Sequence, residues 1–204
     1  MSNNKAKSSR KQEILEALAH ELENNPGTRI TTASLAKAVG ISEAALYRHF
    51  PSKAKMFEGL IEFSEDTVFS LINRIQSEQT DVQNRCSALL KLLLGFSERN
   101  PGITRILLGD ALVGEHERLR TRINQFYERL DTQLKQFLRE GSMRGEIPEN
   151  FPINATANLL LATVEGRMSQ FARSSFTKRP TEHWEQQWLL LSETLFNVQA
   201  EEAV

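Results

Sequence analysis

The fold is decided by residues 31–55, TTASLAKAVGISEAALYRHFPSKAK. Thr31 or Thr32 can begin a first helix, because a threonine hydroxyl accepts a hydrogen bond from a backbone N–H of the first turn. Gly40 suits the end of that helix, since glycine adopts a left-handed conformation without a Cβ penalty. Ser42 can then begin a second helix in the same way. The segment therefore predicts two short helices joined by a tight turn.

The spacing of small and apolar residues in this hairpin is typical of a helix-turn-helix. Ala36 is small where the helices would cross, Ile41 directly follows the glycine, and Leu46 lies six residues after it. Other helical hairpins share parts of this pattern. In that alternative, Tyr47 and Phe50 are core aromatics and the charged residues form a solvated face.

The polar side chains of the hairpin suit contacts with double-stranded DNA. Those at the end of the second helix and just beyond it can donate to phosphate oxygens, which set affinity and register. The short residues at its start would face base edges, where Glu43 can accept a hydrogen bond from cytosine. The predicted DNA-binding residues are Thr31, Thr32, Ser42, Glu43, Ala44, Ala45, Tyr47, Arg48, His49 and Lys53.

Charge is distributed unevenly along the chain. Residues 1–55 carry nine Lys or Arg and five Glu, a net charge of +4. Because the whole chain carries −1, the remainder carries −5. A basic end is expected of a nucleic-acid surface. Residues 1–9 are small, polar and basic without the apolar run of a signal peptide, so they predict a flexible basic arm, either lying along phosphates or untethered.

The rest of the sequence predicts helices. Apolar residues recur at helical spacing, and no segment alternates with a period of two. The longer predicted helices cover residues 10–24, 53–78, 82–98, 115–140 with Gly141 as its stop, 154–172 and 182–199. An interruption of helical structure is predicted at Asn100, Pro101 and Gly102. We therefore expect an all-α protein of about nine helices, with a helix-turn-helix domain at 10–55 and a helical regulatory and dimerisation domain at 56–204.

The last two predicted helices are candidates for a dimer interface. They combine large apolar residues with small ones that permit close helix approach, namely Ala155, Ala157, Ala162 and Gly166. A protein that binds palindromic DNA needs a two-fold partner. The alternative is that the same apolar stripes only fill the core of the monomer.

Composition and motifs exclude several classes of protein. No stretch approaches the roughly 20 apolar residues of a membrane span, and the single cysteine, Cys86, cannot form an internal disulfide, which favours a reducing cytosol. His116 and Glu117 begin a zinc-binding H-E-x-x-H, but Arg120 replaces the second histidine. We therefore expect no enzyme activity, no metal site and no cofactor.

Residues 30–63, ITTASLAKAVGISEAALYRHFPSKAKMFEGLIEF, resemble the TetR family of bacterial DNA-binding proteins. Two later segments, LLLGFSERNPGITRIL at 92–107 and RLRTRINQFYERL at 118–130, are similar to the nucleoid occlusion branch of that family. The resemblance implies an N-terminal helix-turn-helix domain followed by a helical domain for dimerisation and partner binding.

The resemblance also implies partners and a location. Proteins of this branch are homodimers that bind palindromic chromosomal sites, with several dimers on one site in some cases, and act on the division protein FtsZ to prevent ring assembly over the nucleoid. No small-molecule effector is expected, and the location is cytoplasmic and nucleoid-associated. The implied FtsZ-binding residues are Phe63, Leu92, Gly95, Arg99 and Asn100. Leu71 stands where the resemblance implies a basic residue, with Arg74 a turn later.

The residues alone leave two points open. Phe63 and Phe69 each lie about 120° from the centre of the apolar stripe of their helix, so each either packs on a flanking helix or forms a surface patch. The alternative function is a ligand-responsive repressor, whose body would enclose a pocket. The apolar helix at 82–98 supplies few polar groups for such a pocket.

Overall fold

A computed structural model describes residues 2–25, 28 and 30–196, with side chains described from residue 10 onwards. In these ranges the protein contains nine α-helices and a single 3-10 turn at Asp110–Leu112, which confirms the all-α prediction. The helices are α1 (Ser2–Asn24), α2 (Thr32–Val39), α3 (Glu43–His49), α4 (Lys53–Glu78), α5 (Val82–Arg99), α6 (Pro101–Leu107), α7 (Glu117–Met143), α8 (Ile153–Arg173) and α9 (Trp184–Phe196).

The described chain divides into two compact units. The first comprises Met1–Thr67 and Arg99–Gln125, and the second comprises Val68–Glu98 and Phe126–Val204, as far as these ranges are described. The first unit thus contains α2 and α3 together with α1 and α6. The second contains most of α5 and all of α8 and α9.

Helix α1 forms the centre of the first unit. Its buried residues Ile14, Leu18 and Leu22 form an apolar stripe, and the helix contacts α2, α3 and α6. The contact with α6 is so close that a Cβ atom at Gly102 would lie 1.9 Å from the backbone oxygen of Ala19. The predicted break over residues 100–102 falls at Asn100, between α5 and α6, whereas Gly102 itself lies inside α6, where the absence of a side chain lets two helix backbones meet.

Helix α5 is largely buried in the second unit, as its apolar composition predicts. Its buried residues are Val82, Cys86, Leu89, Leu90, Leu93, Leu94, Phe96 and Ser97. Burial raises the pKa of the Cys86 thiol to about 12, which agrees with a core residue rather than a reactive thiolate.

The end of α7 differs from its prediction. Gly141 does not stop the helix; it lies where a Cβ atom would be 2.7 Å from the Cβ of Val82. The stop is Gly145, which has φ of 75°. There the N–H of Glu146 donates to the oxygen of Gly141 at 2.9 Å, a hydrogen bond typical of a helix that ends at a left-handed glycine. Of these two glycines, Gly141 thus permits a close contact and Gly145 ends the helix.

The chain termini also differ from the prediction. Helix α1 begins at Ser2 rather than at residue 10, so the backbone of the segment predicted as a flexible basic arm is helical. No proline or glycine interrupts residues 2–24, and the sequence therefore offers the helix no local stop. The predicted end of the last helix near residue 199 lies outside the described residues.

Candidate nucleic-acid interface and partner-binding faces

Local hydrogen bonds shape the α2–α3 hairpin as the sequence predicts. Thr31 is the residue that caps α2, and its hydroxyl accepts from the backbone N–H of Ser34 at 3.1 Å. Gly40 ends α2 with φ of 73°. The Ser42 hydroxyl then accepts from the backbone N–H of Ala45 at 3.2 Å and begins α3. The two helices of a helix-turn-helix are therefore present with their predicted turn.

Burial distinguishes Tyr47 in α3 from Phe50, which directly follows α3. Leu46 and Phe50 are buried against the rest of the first unit, whereas the side chain of Tyr47 is 45% exposed. The alternative in which both aromatic residues belong to the core is therefore correct only for Phe50. Tyr47 and Arg48 remain on the surface beside Ser42 and Ala44, and all four are exposed.

A hydrogen-bond network links α2 to the start of α3 on this surface. The Thr32 hydroxyl donates to Oε2 of Glu43 at 2.8 Å, and the Tyr47 hydroxyl lies 3.5 Å from the Thr32 oxygen. Three of the residues predicted from the sequence therefore lie together. Glu43 retains its second carboxylate oxygen for another donor, such as the amino group of a base.

The basic residues near the hairpin differ in their availability. Arg48 is exposed, but Lys53 Nζ donates to Oε1 of Glu115 at 2.6 Å. Lys55 pairs with Glu58 at 2.6 Å. His49 is half-buried, and its Nδ1 is buried without a hydrogen-bond partner in the described part of the chain. The sequence could not show that the lysines after α3 are already paired.

Two arginines of α7 form ion pairs with glutamates of α4, the helix that follows the hairpin. These pairs were not predicted from the sequence. Arg118 pairs with Glu58 at 2.7 Å, and Arg122 pairs with Glu65 at 2.6 Å. Burial by itself raises the pKa of Glu58, but the hydrogen bond from Lys55 and the charge of Arg118 outweigh it and lower that pKa below 4.5. The only sequence signal was the run of arginines at 118–122.

Phe63 lies at an apolar groove of the first unit. Its side chain is 41% exposed, unlike the buried Leu60 one turn earlier. Residues of α1, α4 and α6 form this groove, which we call the Phe63 groove: Gln12, Leu15, Glu16, Ala19, Leu60, Phe63, Asn100 and Ile103. The structure therefore brings together two of the residues that the resemblance implies for FtsZ binding, Phe63 and Asn100.

The other implied partner residues are placed as follows. Leu92 and Gly95 are partly exposed on α5 in the second unit, and Arg99 is exposed at the end of that helix. Phe69, which has the same predicted angle as Phe63, instead packs edge to face on Phe126 with ring centroids 5.6 Å apart. The guanidinium of Arg129 lies 3.6 Å from the centroid of the Phe69 ring.

Helices α8 and α9 present an apolar surface, which we call the α8–α9 face. Leu189 and Leu190 are 57% and 67% exposed, and Leu159 is also exposed. A groove in this face is lined by small and apolar residues with a few polar ones: Ala162, Thr163, Gly166, Arg167, Gln170, Gln187, Leu190 and Leu191. A Cβ atom at Gly166 would have no neighbour within 4 Å. Large exposed apolar surfaces of this kind mark interaction sites.

Not every predicted dimer residue lies on the α8–α9 face. Ala155 and Ala162 are exposed, but Ala157 is buried in the second unit. Trp184 is buried as well, and its ring packs against Trp188 with centroids 6.3 Å apart. The stripes of α8 and α9 therefore serve the core of the monomer on one side and leave a second apolar side exposed.

Within residues 2–25, 28 and 30–196, no group of three or more His, Cys, Asp or Glu side chains is arranged to hold a metal ion. None of the helices in the same ranges is both long enough and apolar enough to cross a membrane.

Comparison with known proteins agrees with this geometry. Residues 12–60 match the family described as "Bacterial regulatory proteins, tetR family", and residues 79–196 match "Tetracyclin repressor-like, C-terminal domain" of the SlmA-like type. The chain is 57% identical to the nucleoid occlusion factor SlmA of Shewanella woodyi, over 93% of this chain and 96% of that protein. It is 53% identical to SlmA of Idiomarina loihiensis, over 94% and 97% of the two chains.

Solved structures show the same fold at low sequence identity. A TetR regulator from Haloarcula marismortui superposes with a TM-score of 0.76 at 21% identity, over 92% of this chain and 98% of that one. The FadR regulator from Bacillus subtilis, crystallised with stearoyl-CoA, has a TM-score of 0.71 at 16% identity, over 88% and 96% of the chains.

The fold and the α2–α3 hairpin define a helix-turn-helix DNA-binding regulator, not an enzyme. The chain belongs to the TetR family and, within it, to the family of the nucleoid occlusion factor SlmA.

Proposed function

We propose that this protein is a nucleoid occlusion factor: a homodimer that binds palindromic chromosomal sites and, from there, binds FtsZ and blocks assembly of the division ring. The observation that carries the proposal is the exposed Phe63, which shares its groove with Asn100 in the unit that holds the DNA-binding helices. Its location is then cytoplasmic and nucleoid-associated.

The polar surface of the hairpin supports the DNA contact. Tyr47 and Arg48 supply a phenol and a guanidinium for phosphate oxygens, and Ser42, Ala44 and Ala45 are short enough to let α3 approach base edges. Thr31, Thr32 and His49 flank the same surface, with Lys53 at the start of α4. In this proposal the phosphate contacts provide affinity, and the start of α3 selects the site.

The α8–α9 face supports the homodimer. Pairing two copies through this face would cover Leu189 and Leu190, which water otherwise surrounds. Gly166 and Ala162 would allow close approach of the partner helices. A two-fold arrangement is what recognition of a palindrome requires, because each half-site then meets one hairpin.

The Phe63 groove supports binding of FtsZ. An exposed aromatic side chain beside a groove is a common anchor for a partner peptide. Leu92, Gly95 and Arg99 complete the set of residues proposed for this contact. Relatives named SlmA are nucleoid occlusion factors, and their similarity covers nearly the full chain.

Co-sedimentation with FtsZ polymers tests the proposal. The protein should sediment with the polymers and lower their yield when its DNA site is present. The variant Arg99→Asp should keep its DNA affinity and lose this effect. Arg139→Asp makes the same charge change at an exposed position of α7 and serves as the matched control. Equal activity of Arg99→Asp and the control would remove Arg99 from the proposed site.

The same experiment separates the competing hypothesis of a ligand-responsive repressor. Such a repressor should bind DNA but leave FtsZ polymers unchanged with or without that DNA. Wild-type protein that binds its site and never sediments with FtsZ would therefore favour the repressor.

A further inference from the structure

The ion pair between Lys53 and Glu115 joins distant residues, as the Arg118–Glu58 and Arg122–Glu65 pairs do, but its cation is the most buried of the three. The side chains of Lys53 and Glu115 are only 20% and 12% exposed, and their charged atoms lie 2.6 Å apart. The two residues are 62 positions apart in the chain. By comparison, Lys55 and Glu58 are three residues apart in one helix, and the side chain of Lys55 is 49% exposed. The first pair is therefore a product of the fold, whereas the second joins neighbouring turns of one helix.

Lys53 is paired with Glu115 although it is also one of the residues predicted to bind DNA phosphates. It is the first residue of α4 and lies four residues after His49, the last residue of α3. Its ammonium group also lies 5.5 Å from the centroid of the Phe57 ring, so the side chain is directed toward α4 and Glu115. To bind a phosphate oxygen with its full charge, Lys53 has to leave the carboxylate, because that carboxylate neutralises it.

We propose that Glu115 is an internal competitor of the DNA backbone for Lys53. In the free protein the carboxylate holds the ammonium group, and on DNA the ammonium group exchanges this carboxylate for a phosphate. The contact thereby sets DNA affinity below the value that the basic residues alone would produce. This inference rests on the proposed phosphate contact of Lys53.

The exchange has a specific consequence for salt dependence. Each new neutralised phosphate normally releases counterions and contributes about 0.9 to the slope of log affinity against log salt. When Lys53 leaves Glu115, however, the freed carboxylate attracts a cation from solution. Lys53 therefore contributes almost nothing to the slope while Glu115 is present, and its full share once that carboxylate is neutral.

The variant Glu115→Gln tests the competition directly. The amide keeps an oxygen that can accept from Lys53 but has no charge. Measured by fluorescence anisotropy on a labelled random-sequence duplex of about 30 base pairs, binding should become about three- to tenfold tighter at low salt, and the slope steeper by about 0.9. Glu117→Gln, at an exposed position two residues further along, is the matched control for loss of one negative charge.

A second variant keeps the test valid if Glu115→Gln folds poorly, which thermal unfolding would reveal. Lys53→Gln in the otherwise unchanged chain should leave the salt slope nearly unaltered. In the Glu115→Gln background the same substitution should flatten the slope by about 0.9. The dependence of one substitution on the other is the signature of an exchange of partners.

The outcomes separate the inference from the proposed function. If folded Glu115→Gln binds DNA no better than its control, or if Lys53→Gln alone flattens the slope by about 0.9, the competition is absent although the protein binds DNA. If the wild-type protein retards no duplex in dilute buffer, the proposed DNA-binding function itself fails.

Discussion

The α2–α3 hairpin and the α8–α9 face are both exposed pairs of helices, but the side chains that they expose differ in polarity. The hairpin exposes hydroxyls, a phenol and an arginine, and its apolar residues Leu46 and Phe50 are buried. The α8–α9 face exposes Leu189 and Leu190 around a groove with small residues. The first surface is stable in water and complementary to a polyanion. Covering the second surface removes apolar side chains from water and therefore lowers the free energy. The difference indicates a DNA contact at one face and a protein contact at the other.

The largest expected effect concerns the α8–α9 face. Leu190→Glu should dissociate the dimer, because burial of each leucine stabilises an interface by about 1.5–3 kcal/mol and two-fold symmetry counts it twice. The dimer dissociation constant should rise by about a hundredfold or more, measured by sedimentation velocity. Met143→Glu, at an exposed apolar residue of α7, should leave the dimer intact. If the Leu190→Glu protein remains dimeric, the α8–α9 face is not the dimer interface, and the contrast between the two surfaces fails.

The next effect concerns DNA. Arg48→Ala should weaken binding by about 1.5–3 kcal/mol, the range for a hydrogen bond to a charged group. It should also flatten the salt slope by about 0.9 without changing the dimer. Fluorescence anisotropy at several salt concentrations measures both quantities, and Arg139→Ala on α7 is the control. A weaker dimer with unchanged DNA affinity would reverse the assignment of the two surfaces.

A smaller effect tests whether the hairpin depends on its own local hydrogen bonds. Ser42→Ala removes the cap of α3 and should cost about 1 kcal/mol of stability. Ser70→Ala, at an exposed interior position of α4, should cost nothing, because alanine is the better helix former there. Thermal unfolding of the two variants provides the measurement. Equal melting temperatures would show that packing alone positions α3.

The smallest effect is a difference in response to pH. The pKa of Glu58 is lowered in the folded protein, mainly by Lys55 and Arg118 against the opposing effect of burial. Its stabilisation is therefore present above its unfolded pKa of 4.5 and is lost as the pH falls through the folded value. Glu58→Gln should lower the melting temperature at neutral pH, and the difference from wild type should shrink in acid. Glu62→Gln, at an exposed position of α4, should show little difference at either pH.

Local features of the hairpin could be predicted because each depends on residues within one helical turn. Thr31 caps α2 through Ser34, and Ser42 caps α3 through Ala45, only three residues further on. Gly40 has the left-handed conformation that its position predicted. Family membership likewise followed from segments of sequence, and the comparisons confirm it.

Features that depend on distant residues could not be predicted in the same way. Phe63 and Phe69 have the same angle on the helical wheel, yet Phe63 is exposed at a groove and Phe69 packs on Phe126. Gly102 was predicted as part of the break that the structure has at Asn100, and Gly141 was predicted as the stop of α7. Each instead lies inside a helix at a close contact with a residue remote in sequence. Periodicity records which side of a helix is apolar but not which neighbour covers it.

The sequence by itself determined the all-α class, the hairpin caps and the residue types offered to DNA, because backbone hydrogen bonding and helical periodicity act over a few residues. Only the tertiary structure decided that Lys53 is held by Glu115, that α6 meets α1 at Gly102, and that Leu190 stays exposed. These outcomes depend on which surfaces the folded chain brings together, and packing between distant segments is a property of the whole fold.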